Sequence, residues 1–498
     1  MLEARATLDL AEAVGPVDPR LFGSFVEHMG RCVYSGIYEP GHPAADAEGF
    51  RTDVLDLVAE LGVTQVRYPG GNFVSGYRWE DGVGPVDERP TRLDLAWHSR
   101  ETNEFGLGEF MRWTAAARVE PVITLNLGTR GIAEALDLLE YANHAGGTTL
   151  SDRRVSYGSA EPYDIRTWCL GNELDGPWQL GHRTAHEYGR LAAETARGMR
   201  QFDPDLRLVV AGSSAASMPT FGAWERTVLE SCWDLVDEIS VHAYYEEGAD
   251  LADFLASGVA MEGLIETVAG IADDVVSRAG GTKRIGLALD EWNVWYLRRH
   301  QASFQPQGWP QAPRLCEDAY TLADAVVVGG LLITMLRHAD RVSSACLSQL
   351  VNVIAPIKTE PDGPAWREAT FYPFASTACH ARGESVPLSL QAPTLITPTH
   401  GEVCVVDAVL TATEDEGASL FAVNRHPSEP VEFVLDAADG RPIRLLGAQV
   451  LTDSDVHATN SIDHPTRVGP RPLGGNDGEA LRLRLPPVSW AHANLLLR

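Results

Sequence analysis

The chain has 498 residues, of which 44% are hydrophobic and 22% charged, an ordinary globular composition with enough material for two or three domains. Acidic residues outnumber basic ones by 69 to 40, and the resulting net charge of -29 disfavours binding to nucleic acid or to an anionic membrane. The chain contains two lysines, Lys283 and Lys358, which leaves little room for chemistry that needs a Schiff base.

No segment of the sequence has the pattern of a membrane anchor or a leader. The first residues alternate between charged and apolar types, and the most apolar stretch, 319–336, is interrupted by Asp324 and by Gly329-Gly330, which favours a buried helix. The cysteines are odd in number and lack zinc-like or redox spacing, so they indicate free thiols in a reducing compartment. We expect a soluble cytoplasmic protein.

Short apolar runs alternate with amphipathic helical stretches through the first three quarters of the chain. The predicted strands are 21–26, 64–68, 121–127, 165–170, 206–211, 238–244, 285–289 and 342–347. Helical spacing of apolar residues predicts helices at 53–61, 108–119, 132–143, 185–202 and 261–278. Eight strand–helix repeats fit a closed (β/α)8 TIM barrel better than an open parallel sheet, and no G-x-G-x-x-G motif supports a dinucleotide-binding fold.

The pattern changes after about residue 384. Short β-like runs separated by Gly, Pro, Asp and Asn follow, which is typical of an antiparallel β-sandwich. The first sixteen residues also have the pattern of a strand outside the barrel, and they could pair with this second domain. We therefore predict a catalytic barrel at 17–384 and a jelly-roll-like sandwich formed by 1–16 plus 385–498.

Two glutamates mark the ends of predicted barrel strands, where a TIM barrel carries its chemistry. Glu173 follows strand four in Gly171-Asn172-Glu173, and Glu291 follows strand seven. A single such glutamate would often be paired with an arginine or would cap a helix. Two carboxylates facing one cavity are what glycoside hydrolysis requires, because one protonates the leaving oxygen while the other attacks or activates water.

At these positions the sequence resembles glycoside hydrolase family 51, the α-L-arabinofuranosidases, within a clan of (β/α)8 retaining glycosidases. The resemblance covers essentially the whole chain, including the C-terminal β-sandwich, and is carried by four segments: 22–28, 67–73, 169–179 and 290–296. It implies a retaining, exo-acting enzyme that releases terminal arabinofuranosyl residues. It further implies that Glu173 is the acid/base and Glu291 the nucleophile.

The resemblance also implies a set of substrate-binding residues. Amide and carboxylate groups suit sugar hydroxyls, and aromatic rings suit the C–H faces of a sugar. The implied set is Glu27, Asn72, Asn172, Tyr244 and Gln349 for hydroxyl groups, with Trp295 as the substrate-facing aromatic residue. The expected partners are arabinofuranose-containing oligosaccharides from arabinan or arabinoxylan. The family resemblance implies a homo-oligomer, a hexamer, and glycoside cleavage of this kind needs no metal or cofactor.

Three residues and one loop stay open. Arg67 either orients the nucleophile and keeps it ionised or forms a structural ion pair. His242 either hydrogen-bonds a catalytic carboxylate or is a satisfied core histidine. Trp97 either lines the pocket or packs in the core. The loop at 297–314, rich in Gln, Pro and Arg, is expected to shape leaving-group specificity, although motif spacing does not place Trp309.

Other functions remain as alternatives. The same scaffold could carry an endo-β-glucanase or a β-xylosidase. A non-catalytic carbohydrate-binding protein is disfavoured because both carboxylates and their amide partners are present. A barrel lyase or aldolase is disfavoured because neither lysine lies at a clear strand end.

Overall fold

In the computed structural model, which describes residues 2–304, 307–476, 478 and 480–497, eight parallel strands close into a barrel in chain order. These strands, labelled β1 to β8, are Gly23–Phe25, Gln65–Tyr68, Glu120–Thr124, Thr167–Leu170, Arg207–Val210, Glu238–Tyr245, Gly286–Val294 and Val342–Leu347. Each pairs with its two chain neighbours, and β8 closes the barrel on β1. The predicted (β/α)8 barrel is confirmed.

Helices surround the barrel, and they follow the predicted amphipathic stretches closely. The helices are Thr52–Leu61, Leu107–Ala117, Ile132–Asn143, Thr149–Ser156, Ala185–Phe202, Ala223–Cys232, Leu251–Leu255, Ser257–Arg278, Leu297–Ser303, Leu322–Arg337 and Phe371–His380. In Ala185–Phe202, the hydroxyl of Thr184 caps the first turn, and Tyr188, Ala192 and Met199 are buried on one face. The helix therefore begins at a capping signal and packs through its apolar stripe.

The apolar stretch predicted as a buried helix forms Leu322–Arg337, and almost all of its side chains are buried. It packs against neighbouring helices on one side and against the β-sandwich on the other, so it has no solvent face that would need polar residues. A methyl group on Gly329 would lie 2.2 Å from the Trp490 ring of the sandwich, so this close approach requires glycine. Among the helices that the structure describes, none combines the length and apolar character needed to cross a bilayer.

The C-terminal part contains two packed sheets that are mostly antiparallel, as predicted. In spatial order, the five-stranded sheet comprises Ser389–Gln391, Leu2–Leu8, Val431–Ala437, Leu481–Leu485 and Gly475–Asn476. The seven-stranded sheet comprises Gly15–Pro16, Glu384–Pro387, Val406–Ala412, Gly417–Asn424, Ser489–Leu497, Ile443–Leu451 and Arg471–Pro472. Leu2–Leu8 pairs in parallel with Val431–Ala437, so the N-terminus contributes a strand to this sandwich. The domain division at 17–384 and 1–16 plus 385–498 is consistent with that pairing and stays a prediction.

Among the described residues, three short hairpins lie outside these sheets. They are Arg92–Asp94 with Ser99–Glu101, Ile357–Thr359 with Ala365–Arg367, and Thr394–Thr397 with Gly401–Cys404. The first of them in the chain covers the end of the barrel near its cavity.

Strand β7 differs most from the prediction, since it extends to Val294 and includes Glu291 rather than ending before it. The pairing of β6 with β7 shifts between Ser240 and His242, and that of β7 with β8 shifts between Leu289 and Trp292. Such irregularities re-aim side chains near the end of a strand. As a result, His242 and Glu291 are direct neighbours across the pair.

Candidate active site

The two glutamates singled out from the sequence lie together at the C-terminal end of the barrel. Glu173 follows β4 after Gly171, and its own φ of +46° lies in the left-handed region that non-glycine residues rarely occupy. Glu291 lies on β7 beside His242 of β6. One carboxylate oxygen of each glutamate and a ring nitrogen of His242 lie within 4.8 Å of one another. The fold thus brings two carboxylates from strands far apart in the chain into one cluster.

Both oxygens of Glu291 accept hydrogen bonds. Arg67 donates from Nη1 to Oε1 at 2.8 Å, and the Tyr244 hydroxyl donates to Oε2 at 2.8 Å. The same guanidinium donates from Nη2 to Oδ1 of Asn172 at 2.6 Å, so Arg67 links the strand-four loop to Glu291. Charge-assisted hydrogen bonds of this kind hold a buried carboxylate in one orientation.

Glu173 has different partners. His242 Nδ1 lies 2.8 Å from its Oε1, and the indole of Trp178 donates to its Oε2 at 3.0 Å. His242 Nδ1 is also 3.6 Å from Glu291 Oε2, so the imidazole stands between the two carboxylates. Trp178 is 55% exposed, which places Glu173 nearer to solvent than Glu291.

The charges in this cluster shift pKa values in opposite directions. Burial raises the pKa of Glu291, and the charge of Glu173 adds to that rise, while His242 and Arg67 oppose it. Burial alone would lower the pKa of His242, but Glu291, Asp290 and Glu173 raise it well above its usual value. The imidazole is therefore held as a cation between carboxylates, in a low-dielectric site where such charges interact strongly.

Glu27 forms a second polar centre in the same cavity. Its Oε1 accepts from the Phe73 amide at 2.9 Å and from the Trp97 indole at 2.8 Å, and its Oε2 accepts from Gln349 Nε2 at 3.1 Å. Burial raises the pKa of Glu27 to about 8, against the opposing effect of the first two hydrogen bonds. A methyl group on Gly70 would lie 2.5 Å from Glu27 Cγ, so a larger residue there would displace this carboxylate.

The cavity over these centres has a volume of about 1340 Å³. Most of the predicted site residues line it: Glu27, Asn72, Glu173, Tyr244, Glu291, Trp295 and Gln349, together with Trp97. Asn172, Arg67 and His242 are buried beneath it. Arg67 contacts Glu291, His242 contacts Glu173, and Asn172 contacts Arg67. Asn172 Nδ2 and Gln349 Oε1 are buried and have no hydrogen-bond partner among the described residues, and Gln349 lines the cavity, so its Oε1 is available to a ligand.

The loop predicted at 297–314 also reaches this cavity, but part of it is helical. Helix Leu297–Ser303 contributes Leu297, His300 and Gln301 to the cavity wall. Phe304, which follows the helix, also lines the cavity. Trp309 stacks on His98 with ring centroids 3.8 Å apart, which joins the loop to the hairpin that carries Trp97. Within this loop, residues 305 and 306 lie outside the described part of the chain.

Sequence reasoning missed two residues of the cluster. Trp178, the indole donor to Glu173, belongs to a loop whose direction no periodicity reveals. Asp290 lies next to Glu291 and contacts both Arg67 and His242 at 3.1 and 3.2 Å. Its position directly before Glu291 was the available signal, but an adjacent residue of a regular strand would point away from the site.

Among the residues that the structure describes, two groups of side chains have the spacing of a metal site. The first consists of Glu173, His242 and Glu291, whose carboxylates already accept the hydrogen bonds described above. The second consists of Glu262, Glu266 and His338 on the outer helices, where Glu262 is paired with Arg337 at 3.1 Å. The ion pair with Arg337 therefore satisfies the carboxylate of Glu262 without a metal ion, just as hydrogen bonds satisfy the carboxylates of the buried cluster.

Comparisons with known proteins agree with this architecture. Residues 57–255 match the family model of the α-L-arabinofuranosidase 1 domain, and residues 290–489 match that of the α-L-arabinofuranosidase C-terminal domain. An intracellular exo-α-(1→5)-L-arabinofuranosidase of Streptomyces lividans is 55% identical over 98% of this chain and 75% of its own length. An exo-α-(1→6)-L-arabinofuranosidase of Bifidobacterium longum is 52% identical over 98% of this chain and 96% of its own length.

A solved structure extends the likeness to three dimensions. The family 51 α-L-arabinofuranosidase AbfB of Bifidobacterium longum superposes with a TM-score of 0.95 at 49% identity, covering 99% of each chain. A family 44 xyloglucanase of Paenibacillus polymyxa, with a TM-score of 0.58 and 10% identity, shares the fold alone. The chain therefore belongs to the α-L-arabinofuranosidases of glycoside hydrolase family 51.

Proposed function

We propose that this protein is a retaining, exo-acting α-L-arabinofuranosidase that removes terminal arabinofuranosyl residues by double displacement. The observation that carries the proposal is the pair Glu173 and Glu291, whose closest oxygens lie within 4.8 Å in one cavity. Retaining glycosidases hold their carboxyl groups about 5–5.5 Å apart, whereas inverting ones need about 6.5–9.5 Å to admit a water. The names of the relatives supply the sugar and the exo action.

In the first step, an oxygen of Glu291 attacks the anomeric carbon while the bond from that carbon to the leaving oxygen breaks. Glu173 gives its proton to the leaving oxygen, and a glycosyl ester on Glu291 results. In the second step, Glu173 takes a proton from water, whose oxygen attacks the same carbon and releases Glu291. Arg67 and Tyr244 support the role of Glu291 because their hydrogen bonds stabilise a carboxylate anion.

The sugar-binding set follows from which polar atoms face the cavity. Glu27, Asn72, Tyr244 and Gln349 line it, and the unpartnered atoms Asn172 Nδ2 and Gln349 Oε1 are suited to sugar hydroxyls. Trp295 packs edge-on against Tyr244 with centroids 5.0 Å apart and is the aromatic surface for the ring. Leaving a buried polar group unpaired costs about 1–3 kcal/mol, so a sugar of the wrong shape would be rejected strongly.

Further parts of the proposal rest on relatives and on family resemblance. Several relatives are named as intracellular enzymes, which supports a cytoplasmic location. The proposed substrates are oligosaccharides derived from arabinan or arabinoxylan, which the family resemblance implies. We also propose a homo-hexamer, which light scattering on the purified protein would test directly. Since the relatives are named for either 1→5 or 1→6 linkages, the assay needs a substrate with each of the two linkages.

A panel of 4-nitrophenyl glycosides tests the function. The α-L-arabinofuranoside should be cleaved far faster than the β-D-xylopyranoside or the β-D-glucopyranoside. Internal cleavage of xylan or cellulose with little release from the arabinofuranoside would contradict the proposal and favour an endo-glycanase.

Two variants test the roles of the carboxylates. Glu291→Ala should abolish turnover while the protein stays folded. Glu173→Ala should retain turnover of the activated 4-nitrophenyl substrate and, with azide added, release a glycosyl azide of retained configuration. A glycosyl azide formed by Glu291→Ala instead would reverse the two roles. A glycosyl azide of inverted configuration from Glu173→Ala would exclude the assignment.

A further inference from the structure

Apart from the proposed nucleophile Glu291, Asp290 is the residue of the described chain in ion-pair contact with both cations of the catalytic cluster, Arg67 and His242. Its Oδ2 lies 3.1 Å from Arg67 Nε, and its Oδ1 lies 3.2 Å from His242 Nε2. The side chain is buried and does not line the cavity. Asp290 therefore contacts the cluster from below, on the side away from the substrate.

Arg67 and His242 each contact one of the two proposed catalytic glutamates through a different nitrogen atom. Arg67 donates to Glu291 through Nη1, and His242 faces Glu173 through Nδ1. Three carboxylates thus surround two cations, and removing the charge of Asp290 would leave two positive groups facing one another with less compensation. Buried charges of this kind are stable only when their partners are present and well placed.

We propose that Asp290 is a positioning residue for the glycosidase reaction, anchoring Arg67 against Glu291 and His242 against Glu173. The inference rests on the proposed function, because Asp290 acts only through the groups that the proposal assigns to the glycosidase reaction. Groups held within about 0.5 Å of their productive geometry owe that precision to neighbours that lock them in place. A direct role is excluded by position, since the reacting carbon must lie in the cavity above Glu291.

The protonation of His242 follows from the same contacts. Its ring nitrogens lie 2.8 Å from a Glu173 oxygen and 3.2 Å from an Asp290 oxygen, and the charges of Glu291, Asp290 and Glu173 favour the imidazolium form by raising the pKa of His242 well above its usual value. Burial raises the pKa of Asp290, but the neighbouring charges of Arg67 and His242 lower it by more, so the pKa lies below its usual range. The other ionisable groups that act on this pair are Glu291, Asp175, Cys169, Cys346 and Tyr188.

Asp290→Asn keeps the shape of the side chain and removes its charge. We expect kcat on the 4-nitrophenyl arabinofuranoside to fall by about tenfold or more while KM changes by less than about twofold, because the sugar contacts stay in place. Asp324→Asn is the matched control: Asp324 is also buried, but it accepts hydrogen bonds from Tyr296 and Thr321 at the start of helix Leu322–Arg337 and does not line the cavity. A kcat within twofold of the wild type, or an equal loss in the control, would overturn the inference.

Nitrogen-15 NMR of labelled histidine gives a second measurement that does not depend on activity. The His242 signals, identified by their loss in His242→Gln, should show both nitrogens protonated in the wild type at about pH 7. In Asp290→Asn the imidazole should lose a proton at lower pH. A wild-type His242 with a bare Nε2 would overturn the inference even if the variant failed to fold, and an inactive wild type would refute the proposed function alone.

Discussion

Tyr244→Phe removes one oxygen atom from the site and leaves the rest of the side chain in place. The hydroxyl donates to Glu291 Oε2 at 2.8 Å, while the ring packs edge-on against Trp295. Phenylalanine preserves that packing, so the fold and the walls of the cavity should be unchanged. The substitution therefore removes the hydrogen bond to the proposed nucleophile together with any contact that this hydroxyl makes with the sugar.

The size of the effect follows from the type of bond. A hydrogen bond to a charged group contributes about 1.5–3 kcal/mol. At about 1.4 kcal/mol for each factor of ten in rate, its loss should lower kcat/KM by about 10- to 150-fold. Arg67 still holds Oε1, so Glu291 keeps one fixed oxygen and some activity should remain.

The assay compares kcat/KM for the 4-nitrophenyl arabinofuranoside between the wild type and two variants. Tyr245→Phe is the matched control, since Tyr245 follows on the same strand and lines a neighbouring pocket with Glu246 and Arg298 but does not line the catalytic cavity. We expect the control to keep its activity. A Tyr244→Phe enzyme within twofold of the wild type, or equal losses in both variants, would refute the reasoning.

Three more results are expected. Trp178→Phe removes the indole donor to Glu173 and should slow substrates with poor leaving groups by about tenfold, with a smaller effect on the 4-nitrophenyl substrate; equal effects on both would contradict the reasoning. Gly70→Ala should lower kcat/KM in steady-state assays, because the added methyl group would lie 2.5 Å from Glu27 Cγ; wild-type kinetics would show that the carboxylate can yield. His242 has a pKa raised by folding, so the stability it contributes is fully present below about pH 6.5 and is lost as pH rises through the raised value. Urea unfolding should therefore show the largest deficit of His242→Gln at acidic pH, and a deficit that grows with pH would reverse that sign.

Apolar runs were sufficient to predict the barrel, because buried parallel strands are apolar on both faces and stand out between amphipathic helices. Glu173 and Glu291 were found by the rule that barrel chemistry lies at the carboxyl ends of strands. Asp290 was missed because its direction depends on the irregular pairing of β6 to β8, which depends on neighbouring strands rather than on local sequence. Trp178 was missed because a loop position fixes no direction.

The position of helix Leu322–Arg337 bears on how this enzyme could be dissected or recombined. Its residues are buried between the barrel and the sandwich, and the strand Leu2–Leu8 at the other end of the chain is part of that sandwich. Cutting the chain near residue 384 would uncover an apolar helix and leave an orphan N-terminal strand. We therefore expect the sandwich to be an integral part of the folded protein rather than an exchangeable module, and engineered chimaeras should exchange the two parts together.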